Sequence, residues 1–169
     1  MHCPDLTGER VRLRGWVEDD AEWYVAERDE LVFRWTSEPR DLTVEVARDS
    51  IASSEDVPGV YGFAIADRFT GELIGHLPVT VNEHVAEIAY WLGPAKRGRG
   101  SLSDALCVVI EWLVTLKVTR VVLEAHPDNV ASRRAAERAG FTYIGEHAST
   151  KRFADTGRVV VYELVLPRP

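Results

Sequence analysis

The chain has 169 residues, a formal net charge of −7, and 46% hydrophobic against 28% charged residues. That length suits one domain with a full core, so a single domain over residues 1–169 is expected. The acidic balance argues against nucleic acid as a partner, because phosphate contacts need a basic face. It suits a cationic substrate drawn in at long range, or solubility alone. No apolar run reaches the ~18 residues of a membrane span, and MHCPDLTGER lacks the basic and apolar regions of a signal peptide. A cytoplasmic protein with no membrane partner is the expectation. Two cysteines make no disulfide framework. Cys3 falls in a frayed terminus, and Cys107 reads as a small buried hydrophobe of a helix.

RVRLRGW at 10–16 alternates Val11 and Leu13 with arginines and reads as a strand. Glu18, Asp19 and Asp20 place acid where a helix start wants it, and a helix over 21–28 follows. Residues 31–41, with Phe33, Trp35 and Pro39, read as a loop with apolar content, suited to a substrate wall. Thr43 reads as the N-cap of a helix to about residue 54. DVPG at 56–59 is a turn, and strands over 61–66 and 73–81 flank a hairpin connection. Pro78 in the second of these signals a bulge or an edge position. Residues 82–84 turn into a strand over 85–92. A long helix over 101–117 puts Leu102, Leu106, Val109 and Leu113 on one broad face. RVVLEA at 120–125 is a buried strand, 130–139 a short helix stopped by Gly140, and 141–146 and 158–166 the last strands, joined by a polar connection. Consecutive strands imply an antiparallel meander, and the strand–helix–strand units after residue 85 imply a parallel insertion. The result is an α/β mixed sheet with helices on both faces.

The stretch AEIAYWLGPAKRGRGSLSDA at 86–105 carries the chemistry. A strand runs into a turn of Arg97, Gly98, Arg99, Gly100 and Ser101, then into a helix. Turn amides and a helix N-terminus together suit a phosphate or pyrophosphate. The turn is no Walker loop, since no Gly-Lys-Ser/Thr follows, and it lacks the setting of the dinucleotide fingerprint. A second cluster follows: Asn129 and Ser132, then Gly140 and Phe141. Singly these read as helix caps. Their order relative to the first turn is the informative part.

In that order and spacing the chain resembles the GNAT superfamily of N-acyltransferases, and within it the RimJ/RimL-like branch of ribosomal-protein N-terminal acetyltransferases. The likeness runs from LTGERVRLRGW through DRFTGELIGH and AEIAYWLGPAKRGRG to HPDNVASRRAAERAGFTYIGE. It implies a GNAT fold: a mostly antiparallel six- to seven-stranded sheet with a splayed parallel pair, flanked by about four helices. It implies acetyl-CoA as co-substrate, its pyrophosphate on Arg97, Gly98, Arg99, Gly100, Ser101 and Leu102. The pantetheine arm would lie along Ala89, Tyr90, Trp91 and Leu92, with Asn129 contacting it. The family pattern R/Q-x-x-G-x-G/A has a small residue where this chain has Leu102. That residue shifts the loop, weakens coenzyme A, or turns into the core.

Acyl transfer to an amine needs a proton acceptor for the amine, a donor to the thioester oxygen and a proton for the leaving thiolate. The resemblance implies Glu87 as the base; a solvent-facing charge is its plain alternative. It implies Ser132 as the acid, against an ordinary first-turn residue, with Tyr90 and Tyr143 as other candidates. A strand N–H near Ala89 or Tyr90 would meet the thioester oxygen. Trp35 and His76 are the candidate acceptor-binding residues. The histidines show no metal-ligand spacing, so no metal is expected. The activity read from all this is transfer of acetyl to a primary amine of a small molecule. Protein N-terminal acetylation, a non-acetyl or carrier-bound donor, and a coenzyme A-binding module without turnover are the alternatives. A homodimer is an assembly state to test.

Overall fold

Period-two patterning builds one sheet in this computed structural model, which describes residues 3–53, 57–148 and 157–167. Its strands are β1 (Leu6–Thr7), β2 (Val11–Gly15), β3 (Val60–Asp67), β4 (Leu73–Asn82), β5 (Val85–Ile88), β6 (Trp91–Leu92), β7 (Arg120–Ala125), β8 (Thr142–Ala148) and β9 (Arg158–Val165). The helices are α1 (Ala21–Ala26), α2 (Glu30–Trp35), α3 (Val44–Ala52), α4 (Ser101–Thr115) and α5 (Val130–Arg138). The strand order is β1-β2-β3-β4-β5-β7-β9-β8, with β6 on β4. Among the described residues only β5 and β7 pair in parallel. Nine strands and five α-helices among the described residues exceed the expected counts, because two strands are two-residue pieces and α2 falls where the sequence reads as a loop.

Alternation sorts the two faces. Leu13, Phe63, Leu77 and Ile88 point to one face, where α4 covers them with Ala105, Leu106, Val109 and Leu113, all fully buried. Trp112 of α4 adds edge contacts to Tyr61 and Phe63, at ring distances of 4.7 and 5.5 Å. On the other face Trp16, Trp23 and Tyr24 close over His76 and Trp91. The first turn of α4 is also tied to the chain start. The Asp104 carboxylate accepts from the N–H groups of Glu9, Arg10 and Val11 at 3.2, 2.7 and 2.9 Å.

Thr43 caps α3, accepting from the Val46 N–H at 3.3 Å, as expected. Other expectations change. Residues 30–35 form α2, because Asp29 accepts from the Val32 N–H at 3.1 Å and caps it. Cys107 is exposed, on the outer side of α4. Cys3 packs against the core, and burial pushes its thiol up to about 12. Most of the connection after β8, and Asp56 of the DVPG turn, lie outside the described residues.

Pro78 sits in the middle of the sheet, opposite Gly62 of β3 and beside Ala89, with no bulge there. The Ala89 N–H donates to the Pro78 carbonyl at 3.1 Å. Such a pair normally exchanges two bonds, and proline has no N–H to return. The ladder is therefore interrupted at Ala89 and Tyr90, between β5 and β6. The register on β4 is unchanged across the break: Val79 faces Ile88 on one side of it and His76 faces Trp91 on the other.

Candidate active site

The break in the strand is also where the sheet opens. The parallel pairing of β5 with β7 ends at Ile88 and Leu123, while β6 stays on β4. A cavity of about 710 Å³ fills the resulting gap. Its walls come from β6, the loop before α4, α5, the end of β7 and α2. Ala89, Tyr90, Trp91, Leu92, Asn129, Ser132 and Trp35 all line it, as does the whole stretch from Arg97 to Leu102.

The loop has the conformation its glycines allow. Gly98 and Gly100 have φ of +74° and +83°, and a Cβ at Gly98 would meet nothing within 4 Å. Backbone is thus presented to the cavity without side chains over it. Gly100 is the N-cap of α4, so the unpaired amides of that helix start face the same space. Leu102 turns inward: it packs, half-buried, against the core while its remaining surface lines the cavity.

Arg97 differs from the expectation. Its guanidinium makes two 2.8 Å bonds to the carboxylate of Asp29, and its Nε–H donates to the Leu92 carbonyl at 3.0 Å. Positive charge comes from elsewhere. Ala131, Arg134, Ala135 and Arg138 recur at helical spacing, so one stripe of α5 faces the cavity with two arginines, and Arg99 lines the same cavity. Nothing in the sequence marked Arg134 and Arg138; knowing which face of α5 is buried would have.

Asn129 caps α5 through its side-chain oxygen, which accepts from the Ser132 N–H at 3.1 Å. The Ser132 hydroxyl lies 2.8 Å from the Tyr90 hydroxyl, across the gap. Burial pushes Tyr90 up to about 12, so its phenol keeps its proton at neutral pH. When Tyr90 donates to Ser132, the serine proton is directed elsewhere. The Ala89 N–H points to β4; successive strand amides alternate, so the Tyr90 N–H points into the gap.

The acceptor side differs more. Trp35 lies against the buried His126, ring centroids 4.8 Å apart. Glu124 lines the cavity, and the ring Nε2 of His147 is 3.1 Å from its carboxylate. The other ring nitrogen of His147 is 2.8 Å from the Ala148 carbonyl. Glu87 does not line the cavity. It is exposed on β5, opposite Val122, on the same sheet face as Glu124 but two residues back. His76 is not on the cavity wall either. It packs among Trp16, Tyr24 and Trp91, and its Nδ1 accepts from the Trp16 indole at 3.1 Å. That enclosure holds its pKa below the ordinary value, so the ring is neutral. Tyr143 is half exposed and pairs with Tyr162, away from the gap. Among the described residues no cluster of three or more metal-ligating side chains occurs, and no helix is long and apolar enough to cross a membrane.

A mixed sheet splayed at one parallel pair, with a glycine loop and helix start at one end of the gap, defines an acyltransferase of the coenzyme A-dependent kind. The family profile described as an acetyltransferase (GNAT) domain matches residues 10–142. The chain belongs to that family and is an N-acetyltransferase that uses acetyl-CoA. Solved structures agree on the fold. The ribosomal L7/L12 alpha-N-protein acetyltransferase RimL, in complex with coenzyme A, superposes with a TM-score of 0.85 at 19% identity, over 96% of this chain and 98% of its own. The microcin C7 self-immunity acetyltransferase MccE, in complex with acetyl-CoA and AMP, gives 0.82 at 19% identity, over 94% and 93%. A GNAT-family acetyltransferase from Bacillus anthracis gives 0.82 at 20% identity, over 96% and 98%. None of the curated protein sequences matches this chain.

Proposed function

We propose that the protein transfers acetyl from acetyl-CoA directly to the primary amine of a cationic small molecule. One observation carries this reading: a single cavity joins the glycine loop to a wall made by Trp35 and Glu124. The residues present fit the donor. Gly98, Gly100 and the start of α4 offer amides for a pyrophosphate, and Arg99, Arg134 and Arg138 surround it with positive charge. The bound donor supplies an activated thioester carbonyl.

The remaining chemistry belongs to this chain. The Tyr90 N–H donates to the oxygen on which charge develops. Glu124 attracts an ammonium group and accepts its proton, directly or through one water. Ser132, held by Asn129 and Tyr90, hands a proton to the departing sulfur and takes one back from the nitrogen of the new amide. Glu87 is the competing base, and its place before the gap opens counts against it. The walls of the cavity hold amine and carbonyl together, which lowers the barrier by proximity.

The second reading is acetylation of a peptide N-terminus, favoured by the likeness to RimL, named for a ribosomal protein. Free-thiol release from acetyl-CoA separates the two, with small primary amines and unblocked peptides offered in parallel. Release with the small cationic amines is the expected result. Release with peptides alone selects the second reading, and no release with either refutes acetyl transfer.

A further inference from the structure

Arg97 lies in the loop that presents amides to the cavity, yet its side chain is committed elsewhere. All three guanidinium nitrogens are engaged, two by the Asp29 carboxylate and one by the Leu92 carbonyl. Asp29 is 68 residues away in the chain and belongs to the other side of the site. It caps α2 and does not itself line the cavity, whereas Leu31, Val32 and Trp35 of α2 do. This six-residue helix is too short to hold itself in place. Its start is held by the Asp29–Arg97 pair and, on the exposed side, by Glu30, whose carboxylate accepts from Arg40 at 2.7 and 2.8 Å; its end is held by Trp35 against His126. Among the described residues the loop's other side-chain tethers are the Lys96–Glu72 pair at 2.8 Å and the Arg10 contact to the Arg99 carbonyl at 3.3 Å.

We propose that Asp29 and Arg97 are a positioning pair that couples the phosphate loop to the acceptor wall, so that donor and acceptor each bind more tightly when the other is present. The proposal rests on the acetyl-CoA reading given above. A ligand held by the amides of Gly98 to Ser101 fixes the loop and with it Arg97. The two parallel bonds of the fork transmit direction as well as distance, so Arg97 fixes the first turn of α2. That in turn sets Val32 and Trp35 against the amine. Coupling of this kind is reciprocal, so the acceptor tightens the donor by the same factor. Arg97 is then a strut and not a phosphate ligand, and the phosphates are met by backbone and by Arg99, Arg134 and Arg138.

The test is Asp29→Asn in the full chain. Asparagine caps a helix as well as aspartate, so α2 keeps its start while the ion pair loses its charge and one acceptor oxygen. In the wild type, saturating amine should tighten coenzyme A about fivefold by calorimetry, the lower end of ordinary coupling, and in the variant that tightening should be lost, with kcat held within about twofold. Hydrogen exchange in residues 30–35 should slow on adding coenzyme A to the wild type and not to the variant. Asp29→Asn combined with Arg97→Gln should bind coenzyme A no worse than Arg97→Gln alone. Arg97→Lys keeps the charge, loses the fork, and should behave like Asp29→Asn. An amine that tightens coenzyme A as much in Asp29→Asn as in the wild type overturns the proposal, and so does clearly tighter binding of coenzyme A alone, since freeing a true phosphate ligand has that effect. Additive losses in the double variant also overturn it. If the wild type binds coenzyme A and acetylates nothing, the proposed function fails while hydrogen exchange in residues 30–35 still decides whether the loop fixes α2. A wild type that binds no coenzyme A overturns both.

Discussion

Replacing Glu124 with glutamine removes a proton acceptor and leaves shape and volume in place. The side chain is only 16% exposed, lines the cavity and faces Nε2 of His147 at 3.1 Å. Glu87 pairs with Val122, so it stands two residues, or about 7 Å, further back along the strands. A general base works within hydrogen-bond reach of its proton or through one water, which suits Glu124 and strains Glu87. Loss of such a base lowers turnover by roughly 10²- to 10⁴-fold, about 3–5 kcal/mol in the barrier. Glu124→Gln should therefore show that loss at saturating acetyl-CoA and amine, followed by thiol release. Coenzyme A affinity, measured by calorimetry, should stay within about twofold, because the glycine loop is untouched. Glu87→Gln should stay near the wild-type rate. Wild-type turnover in Glu124→Gln refutes the assignment, and a larger loss in Glu87→Gln returns the base to Glu87.

Three further outcomes are expected. His76 is neutral and has a lowered pKa in the fold, so between that value and the unfolded value of 6.5 the unfolded chain binds more protons. Stability is full above pH 6.5 and falls as pH drops below it; urea midpoints at pH 7.5 and 5 should show this slope, and His76→Phe should flatten it. Gly100→Ala has room, the nearest atom being Nη1 of Arg10 at 3.7 Å, but φ of +83° is wrong for alanine. The roughly 1–2 kcal/mol this costs should appear as about tenfold weaker coenzyme A binding as the loop relaxes. Tyr90→Phe removes the hydroxyl 2.8 Å from Ser132. It should destabilise the fold by about 1 kcal/mol in a thermal melt and slow thiol release more than it changes either KM.

Much of the fold was legible because its signals are local. Val11 and Leu13 alternate with arginines, the apolar stripe of α4 repeats at helical spacing, and Thr43 and Asn129 are residue types that cap helices. The loop of Gly98 and Gly100 could be read as a phosphate site because positive φ and a following helix leave amides exposed. The helix at 30–35 was not legible. It is short, and what fixes its start is Arg97, far along the chain.

The sequence by itself determined the order of the longer elements, the glycine turn, the paired cluster of Asn129 and Ser132, and so the family. These depend on near neighbours, whose geometry the backbone dictates. Tertiary structure decided which charged groups meet. Glu87 and Glu124 look alike in alternating strands, and only the point where β5 and β7 part, beside a proline that leaves the ladder a bond short, sets one of them on the cavity. The same holds for Arg97: in sequence it is a cation in a phosphate loop, and in space the carboxylate of Asp29 has already taken it.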